Sequence, residues 1–176
     1  MKTILSFVFL IVGMLSLNAQ QYKPVDDKSE VKFTVKNFGL NTSGTLSNLK
    51  GTIQFDPSNL SSASFNVSVD VNTINTGISM RDNHLKEKEY FYTEKYSTIR
   101  FVSTGVKPAN DGFILTGQLT IKGVSKDISF PFTAVTQNGG MLFTGNFTID
   151  RKDFDVGGSS AVLSNSVDIS LKVFAQ

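Results

Sequence analysis

The 176-residue sequence predicts an all-β protein of about eight antiparallel strands, with one helix inserted between the third and fourth strands. Short runs in which apolar and polar residues alternate fill most of the chain after Lys28, and this period of two is typical of half-buried strands. One long segment, residues 76–103, lacks the alternation and contains the only histidine, His84. Because open sheet edges invite aggregation, we expect the strands to close into a barrel or to stack as two sheets.

The first 19 residues are predicted to be a secretory signal peptide rather than part of the fold. Lys2 provides a short positive start, residues 4–17 are apolar, and Ala19 places a small residue at the cleavage point. This apolar stretch is too short for a transmembrane helix, and the chain has no cysteine that could carry a lipid anchor. We therefore expect one mature domain, residues 20–176, periplasmic or secreted, with no integral membrane span.

Eight stretches with strand character follow in order. The clearest is residues 65–72, where Phe65, Val67 and Val69 alternate with polar residues. The other seven predicted strands are residues 31–36, 44–55, 97–106, 113–121, 124–136, 141–149 and 167–173. Turn-forming sequences such as residues 107–112 and 137–140 separate neighbouring strands.

Glycine and proline interrupt several of these strands. Gly51 predicts a bend or bulge, and Pro131 predicts an edge position or a bulge. Gly117 and Gly145 also lie inside predicted strands. They either allow strong coiling of the sheet or leave space in its interior. An exposed edge at the Pro131 strand would allow two copies to form a homodimer.

Residues 80–91 are the predicted helix. Ser79 and Asp82 have the spacing of a capping box, in which a hydroxyl and an acid satisfy first-turn backbone groups. On a helical wheel Met80, Phe91 and His84 fall on the same half. We expect the helix to lay this face on the sheet, with His84 near its middle. The histidine would then be packed and hydrogen-bonded, in contact with a ligand, or catalytic.

The composition argues against several functional classes. No cysteine is present, so disulfides and cysteine-based metal sites are excluded, and a lone histidine argues against a zinc site. The 17 Lys and Arg residues nearly balance 15 Asp and Glu residues, which argues against nucleic acid as a partner. We expect no metal and no cofactor.

Several motifs occur in a fixed order along the chain. After the signal peptide come RDNHL at the helix, KYSTIRFVS, GQLTIKGVSKDISFPF and FTIDRKDFDVGG. In this order they resemble the YceI-like family of exported bacterial lipid-binding proteins, over residues 22–173. The resemblance implies an eight-stranded antiparallel lipocalin-like barrel, crossed by the helix. It also implies a long apolar tunnel that holds a polyisoprenoid, isoprenoid-quinone or fatty-amide-like chain.

The resemblance also points to individual residues. The residues that match the helix motif are Arg81, Asp82, His84 and Leu85. Those that match the late motif are Arg151, Phe154, Asp155 and Val156. The late residues form either a structural clamp or part of a site. Two histidines that family members often carry near the first strand are absent, and residues 26–29 and 37–38 stand in their place.

The leading functional prediction is a non-catalytic lipid carrier or sequestering protein, with a long-chain isoprenoid or other lipid as its partner. Its predicted contacts are the inward-facing apolar residues Phe33, Val35, Phe65, Val67, Val69, Phe101, Leu119, Phe130, Phe132, Phe143, Phe147, Ile149, Ile169 and Leu171. Arg81, Asn83 and His84 are expected at the mouth, where they would orient a head group. One alternative is a structural or adhesive β-domain with a packed interior. The other is an envelope enzyme, although the sequence offers no nucleophile elbow.

Overall fold

The computed structural model describes residues 20–176, so the predicted signal peptide lies outside the described residues. One helix, α1 (Ser79–Lys86), lies between the fourth and fifth strands in chain order. The strands are β1 (Gln21–Tyr22), β2 (Glu30–Asn37), β3 (Leu40–Gln54), β4 (Ser64–Asn75), β5 (Thr98–Ala109), β6 (Gly112–Ile121), β7 (Val124–Gln137), β8 (Gly140–Asp150) and β9 (Leu163–Ala175). Short 3-10 turns span Asp26–Lys28, Leu60–Ser62 and Arg151–Phe154. Within residues 20–176, no helix has the length and apolar character needed to cross a bilayer.

The eight long strands form a closed antiparallel barrel. Their order is β3-β2-β9-β8-β7-β6-β5-β4, and a pairing of β3 with β4 closes the ring. The short β1 pairs with the last two residues of β3, where Tyr22 is opposite Ile53. The predicted fold class is confirmed, since α1 follows the third of the eight long strands.

The two ends of the barrel differ in what covers them. We call one end the floor: it carries β1, the β3–β4 connection and the last residues of β9. Lys23 N–H donates to the carbonyl of Gln176 at 2.9 Å, which ties the start of the domain across this end. We call the other end the mouth: it carries the β2–β3 turn, α1, the β6–β7 turn and residues 151–162.

The helix is shorter than predicted and its predicted cap is wrong. It ends at Lys86 rather than at residue 91, and the chain continues in turns to β5. Ser79 is the first helical residue, and the N-cap residue Ile78 makes no side-chain capping bond. Asp82 instead accepts a hydrogen bond from the Thr76 hydroxyl at 2.6 Å. The acid still satisfies groups at the start of the helix, but its partner lies before the predicted cap.

The Pro131 prediction is confirmed in a local form. β7 pairs with β6 from end to end, but its ladder with β8 begins only at Phe132, opposite Gly145. Residues 124–131 therefore form a short edge that ends at Pro131, a residue with no amide hydrogen to donate. The ring of Phe130 stacks on Phe147 across this opening, at 4.4 Å between centroids. The homodimer through this strand stays a prediction.

The interior glycines make room for aromatic rings. A Cβ at Gly117 would lie 2.5 Å from the ring of Phe101, and one at Gly145 would lie 3.3 Å from the ring of Phe130. The space that these glycines leave is thus filled by protein. Gly51 differs, because its φ of 133° and a register shift just before it mark the predicted bulge in β3.

A candidate lipid-binding chamber

The barrel interior contains two adjacent chambers. The lower one has a volume of about 160 Å³ and the upper one, at the mouth, about 430 Å³. Both are bounded by the same ring of aliphatic residues, Leu46, Ile99, Ile121, Ile149 and Ile169. A chain that enters from the mouth would pass through this ring to reach the lower chamber.

Aromatic packing seals the floor. Phe55 is 1% exposed and is the hub of this packing, since four other rings contact it edge-on at centroid distances of 5.1 to 6.1 Å. These rings belong to Phe65, Phe113, Phe132 and Phe143. Tyr22 adds an edge contact to Phe143 at 6.3 Å, and burial, with the Asp56 carboxylate, raises the pKa of the Tyr22 hydroxyl. This end of the barrel is closed.

A second aromatic group narrows the lower chamber from the side. The stacked pair of Phe130 and Phe147 lines it, and Phe101 packs on Phe130 with centroids 5.8 Å apart. Aromatic pairs contribute about 0.5–1.5 kcal/mol beyond the area that they bury. The lower chamber is therefore the small space that the packed side chains of the core leave unfilled.

The upper chamber has an apolar wall and a basic rim. Phe33 and Val35 contribute to the wall from β2, and Leu85 and Phe91 contribute from α1 and the turn after it. Its charged or titratable lining side chains are Arg81, His84, Tyr90 and Arg151. Among the described residues, no aspartate or glutamate lines this chamber. The chamber suits an apolar chain whose polar end lies at the rim.

Arg81 is held in place by the segment that begins the helix. Its Nε donates to the Thr76 hydroxyl at 2.7 Å, and its Nη2 donates to the Thr76 carbonyl at 2.8 Å. Asp82 accepts from the same hydroxyl. This hydrogen bond, supported by the Thr76 amide and the charges of Arg81 and Lys86, lowers the pKa of Asp82. The rim cation is thus fixed before any ligand arrives.

His84 lies at the edge of the chamber rather than beneath the helix. Its side chain is 52% exposed, and Nδ1 is 3.3 Å from Oε2 of Glu87. Its ring packs on that of Tyr90, with centroids 4.9 Å apart. The expectation that His84 occupies the middle of the helix's packed face is therefore wrong, because the short helix leaves it at the rim.

Arg151 is a structural clamp that also borders the chamber. It is 5% exposed, and no carboxylate of the described residues lies within ion-pair distance of it. All five of its N–H groups donate within the chain. The acceptors are the carbonyls of Val156, Gly158, Leu163 and Ser164 and the side-chain oxygen of Asn165. The guanidinium thereby holds together the connection between β8 and β9.

The structure places the predicted apolar contact residues on the chamber walls. Those on the lower chamber alone are Phe65, Val67, Val69, Phe101, Leu119, Phe130, Phe132, Phe143, Phe147 and Leu171. Ile149 and Ile169 border both chambers, and Phe33 and Val35 border the upper one. Arg81 and His84 line the upper chamber, whereas Asn83 is exposed and lines neither. Contact with a ligand stays a prediction for all of them.

Several upper-chamber residues were absent from the predicted set. Leu85 and Phe91 belong to the segment that crosses the mouth, and the apolar arc of the predicted helix was the signal that could have included them. Phe154 and Val156 come from the connection after β8. The late motif pointed to that stretch, but its packing over the mouth depends on the Arg151 clamp.

Together these features define a class of protein: a closed antiparallel β-barrel, sealed at one end, with an apolar chamber that reaches the surface at the other. A family model, the YceI-like domain, matches residues 22–175. The chain belongs to the YceI-like family.

Relatives and solved structures agree with this assignment. Protein YceI of Escherichia coli is 30% identical over 179 residues, covering 96% of this chain and 93% of the relative. The crystal structure of Burkholderia cenocepacia BcnA superposes with a TM-score of 0.81 at 26% identity, covering 85% of this chain and 98% of that chain. A polyisoprenoid-binding domain from Saccharophagus degradans, implicated in plant cell wall breakdown, has a TM-score of 0.72 at 18% identity. That match covers 88% of this chain and 97% of that domain.

Proposed function

We propose that this protein binds one amphiphilic lipid, with the chain in the barrel and the head group at the mouth, and carries or sequesters it in the cell envelope. The observation that carries the proposal is the upper chamber, which is apolar and bordered by exposed residues such as His84 and Val162. A sealed floor and an accessible mouth give the chain one direction of entry.

The chamber dimensions set the scale of the chain. An apolar cavity of about 150 Å³ holds one benzene molecule. A chamber of about 430 Å³ thus has room for roughly three such units, or about 18 carbon atoms. Each buried CH₂ contributes about 0.8 kcal/mol, so ten of them outweigh moderate ordering costs. A longer chain would continue through the aliphatic ring into the lower chamber.

We favour an isoprenoid, isoprenoid-quinone or fatty-amide-like lipid. The Saccharophagus degradans domain is described as binding polyisoprenoids, and family membership together with the apolar chamber supports the same class of ligand here. Arg81 and His84 are the groups that we propose orient the head group, because both line the rim of the chamber.

A binding role accounts for the site better than catalysis. The Asp82 carboxylate is engaged by Thr76, and His84 faces Glu87 rather than a nucleophile. A purely structural domain would account for the packed floor, but it would not account for the open, apolar upper chamber. We also propose a periplasmic or secreted location, which rests on the signal-like residues 1–19.

The test is native mass spectrometry of protein expressed from the full-length chain and purified from the envelope, followed by solvent extraction. We expect one prenyl or acyl species per chain, and the protein mass will also show whether residues 1–19 are removed. A bare protein that takes up neither an added prenyl quinone nor a fatty amide would contradict the proposal.

Two valine variants make the test specific to the chamber. Val35→Trp places an indole in the upper chamber, and we expect it to weaken uptake about tenfold or more, by displacing chain methylenes. Val135→Trp is the matched control, because Val135 is 57% exposed near the floor. Equal uptake by both variants would show that the lipid binds elsewhere.

A further inference from the structure

Large exposed apolar side chains are concentrated around the mouth. Five of them have exposed fractions between 39% and 82%: Phe38, Leu40, Ile78, Met80 and Val162. We call these five the mouth rim. Within residues 20–176 the remaining large exposed apolar residue is Val135, which lies near the floor. Scattered exposed apolar residues need no explanation, but a group of them at one end marks an interaction surface.

The mouth rim is continuous with the chamber. Phe38 and Val162 line the upper chamber as well as the surface. They are also joined directly, because Phe38 N–H donates to the Val162 carbonyl at 2.9 Å. Ile78 and Met80 lie at the start of α1, beside Arg81 of the chamber rim. A surface that covers these residues would therefore also face the chamber opening.

Phe38 occupies a position that a phenylalanine seldom takes. Phe38 and Gly39 have φ of 52° and 76°, as the two central residues of a tight hairpin turn. The same geometry recurs at Asn138 and Gly139, with φ of 48° and 76°. Asparagine and glycine are the residues that such turns prefer, and a bulky residue with positive φ is strained. Because Phe38 keeps this strained conformation while its ring is exposed, we infer that the ring has a functional role.

The three segments that carry the mouth rim are basic, although Asp82 directly follows one of them and the Glu89 carboxylate lies beside Gly158 of another. Residues 36–44, 75–81 and 158–165 contain no aspartate or glutamate, and their charged residues are Lys36 and Arg81. Basic residues beside apolar ones favour an anionic lipid surface, since the charges attract head groups while the apolar side chains enter the interface.

We propose that the mouth rim docks on the surface of an anionic lipid bilayer, so that the upper chamber exchanges its lipid directly with the membrane. This proposal rests on the proposed lipid-binding function. The bilayer would be both the source and the destination of the lipid that the chamber holds. Docking adds a partner, a bilayer surface, and a set of residues that contact it.

The test is flotation with lipid vesicles, using protein expressed from the full-length chain and purified after export. Vesicles of phosphatidylcholine alone are compared with vesicles that contain about 30 mol% phosphatidylglycerol. We expect wild type to float with the anionic vesicles, and the triple variant Phe38→Asn, Leu40→Ser, Met80→Ser to lose about tenfold or more in partitioning. Val135→Ser is the matched control and is expected to float like wild type. All the proteins are expressed from the full-length chain, so residues 1–19 are either present in every one or removed from every one. That segment therefore cannot cause a difference between them.

The single variant Phe38→Asn separates binding from folding. The substitution gives the Phe38 turn the asparagine that the Asn138 turn already has. The urea midpoint of the variant should therefore be equal to or above that of wild type, while its partitioning onto anionic vesicles falls. The proposal is overturned if wild type does not float, if the triple variant floats as well as wild type, or if Val135→Ser loses as much. It is also overturned if wild type forms a dimer that the triple variant does not, because the rim then contacts a second copy.

A vesicle-free measurement keeps this proposal distinct from the proposed function. Because Phe38 lines the upper chamber, uptake of a prenyl quinone from dilute ethanol is measured for wild type and for the double variant Leu40→Ser, Met80→Ser, whose residues do not line it. The double variant is also tested in flotation. Equal uptake together with equal flotation would overturn docking and leave lipid binding intact. No uptake by wild type would remove the lipid-binding function itself, whatever the flotation result.

Discussion

The floor and the mouth of this barrel use the same residue types in opposite ways. At the floor, Phe55 is 1% exposed and contacts four other rings. At the mouth, Phe38 is 75% exposed on a strained turn. One phenylalanine stabilises the fold by packing, whereas the other contributes nothing to the core. Hydrophobicity alone therefore does not separate residues that stabilise the fold from residues available for binding.

The largest expected effect comes from truncating one ring at each end. Phe55→Ala should lower the free energy of unfolding by about 3–5 kcal/mol, because it opens a cavity among packed rings. Phe38→Ala should change it by no more than about 0.5 kcal/mol. Urea unfolding followed by circular dichroism measures both. Equal losses would mean that the two ends are not distinct in packing.

The second-largest expected effect comes from removing the Arg151 clamp. Arg151→Met keeps much of the side-chain volume but leaves carbonyls such as that of Val156 without their donor, and an unsatisfied buried group costs about 1–3 kcal/mol. Lipid uptake should fall as well, because the clamped connection forms part of the upper chamber. Arg100→Met is the control, since that guanidinium contacts Asn66 on the exposed surface. Similar losses in both variants would show that burial of Arg151 does not matter.

The alternation of the strands was enough to predict which way their side chains point. Phe65, Val67 and Val69 line the lower chamber as their spacing indicated. The sequence could not show that the lower half is nearly filled, because filling depends on which ring faces which glycine across the sheet. Gly117 accommodates Phe101 from the neighbouring strand, and strand pairing of this kind has no local signal.

The mouth was less predictable than the barrel wall. The helix motif pointed to the right segment, but the helix ends early and Asp82 bonds to Thr76. Contacts between a helix and its preceding loop depend on how the chain turns back onto the barrel. The exposed Phe38 was absent from the predicted site because a lone aromatic residue beside a glycine gives no strand or helix pattern.

The aromatic pair of Phe130 and Phe147 beside the lower chamber should limit the length of the bound chain. Phe147→Ala removes one ring of the stacked pair beside the lower chamber. Burying two further methylenes there would add about 1.6 kcal/mol, which is roughly a tenfold gain in affinity for longer chains. Affinity for chains that end in the upper chamber should change little. Competition between a short and a long fatty amide, measured by native mass spectrometry, gives the ratio, and an unchanged ratio would contradict the idea.

The smallest expected effect concerns the charge that holds the mouth helix. The hydrogen bond from the Thr76 hydroxyl lowers the pKa of Asp82 in the folded protein. The contribution of the ionised Asp82 carboxylate to stability is therefore complete above its unfolded-state pKa of about 3.9. That contribution is lost as the pH falls through the lower pKa of Asp82 in the folded protein. Asp82→Asn resembles the protonated acid. We expect a small difference in urea midpoint between variant and wild type at neutral pH, and convergence of the two in strong acid.

Comparing the two proteins across pH isolates Asp82 from other acids that behave in the same way. Hydrogen bonds from Ser58 lower the pKa of Asp56, and the Asn72 amide lowers that of Asp70, so wild type alone loses stability in acid for several reasons. Asp56 lies next to the floor residue Phe55 and is unchanged in the variant. A midpoint difference that persists undiminished at acid pH would therefore place the effect of Asp82→Asn in packing rather than in charge, and the mouth helix would not depend on this carboxylate.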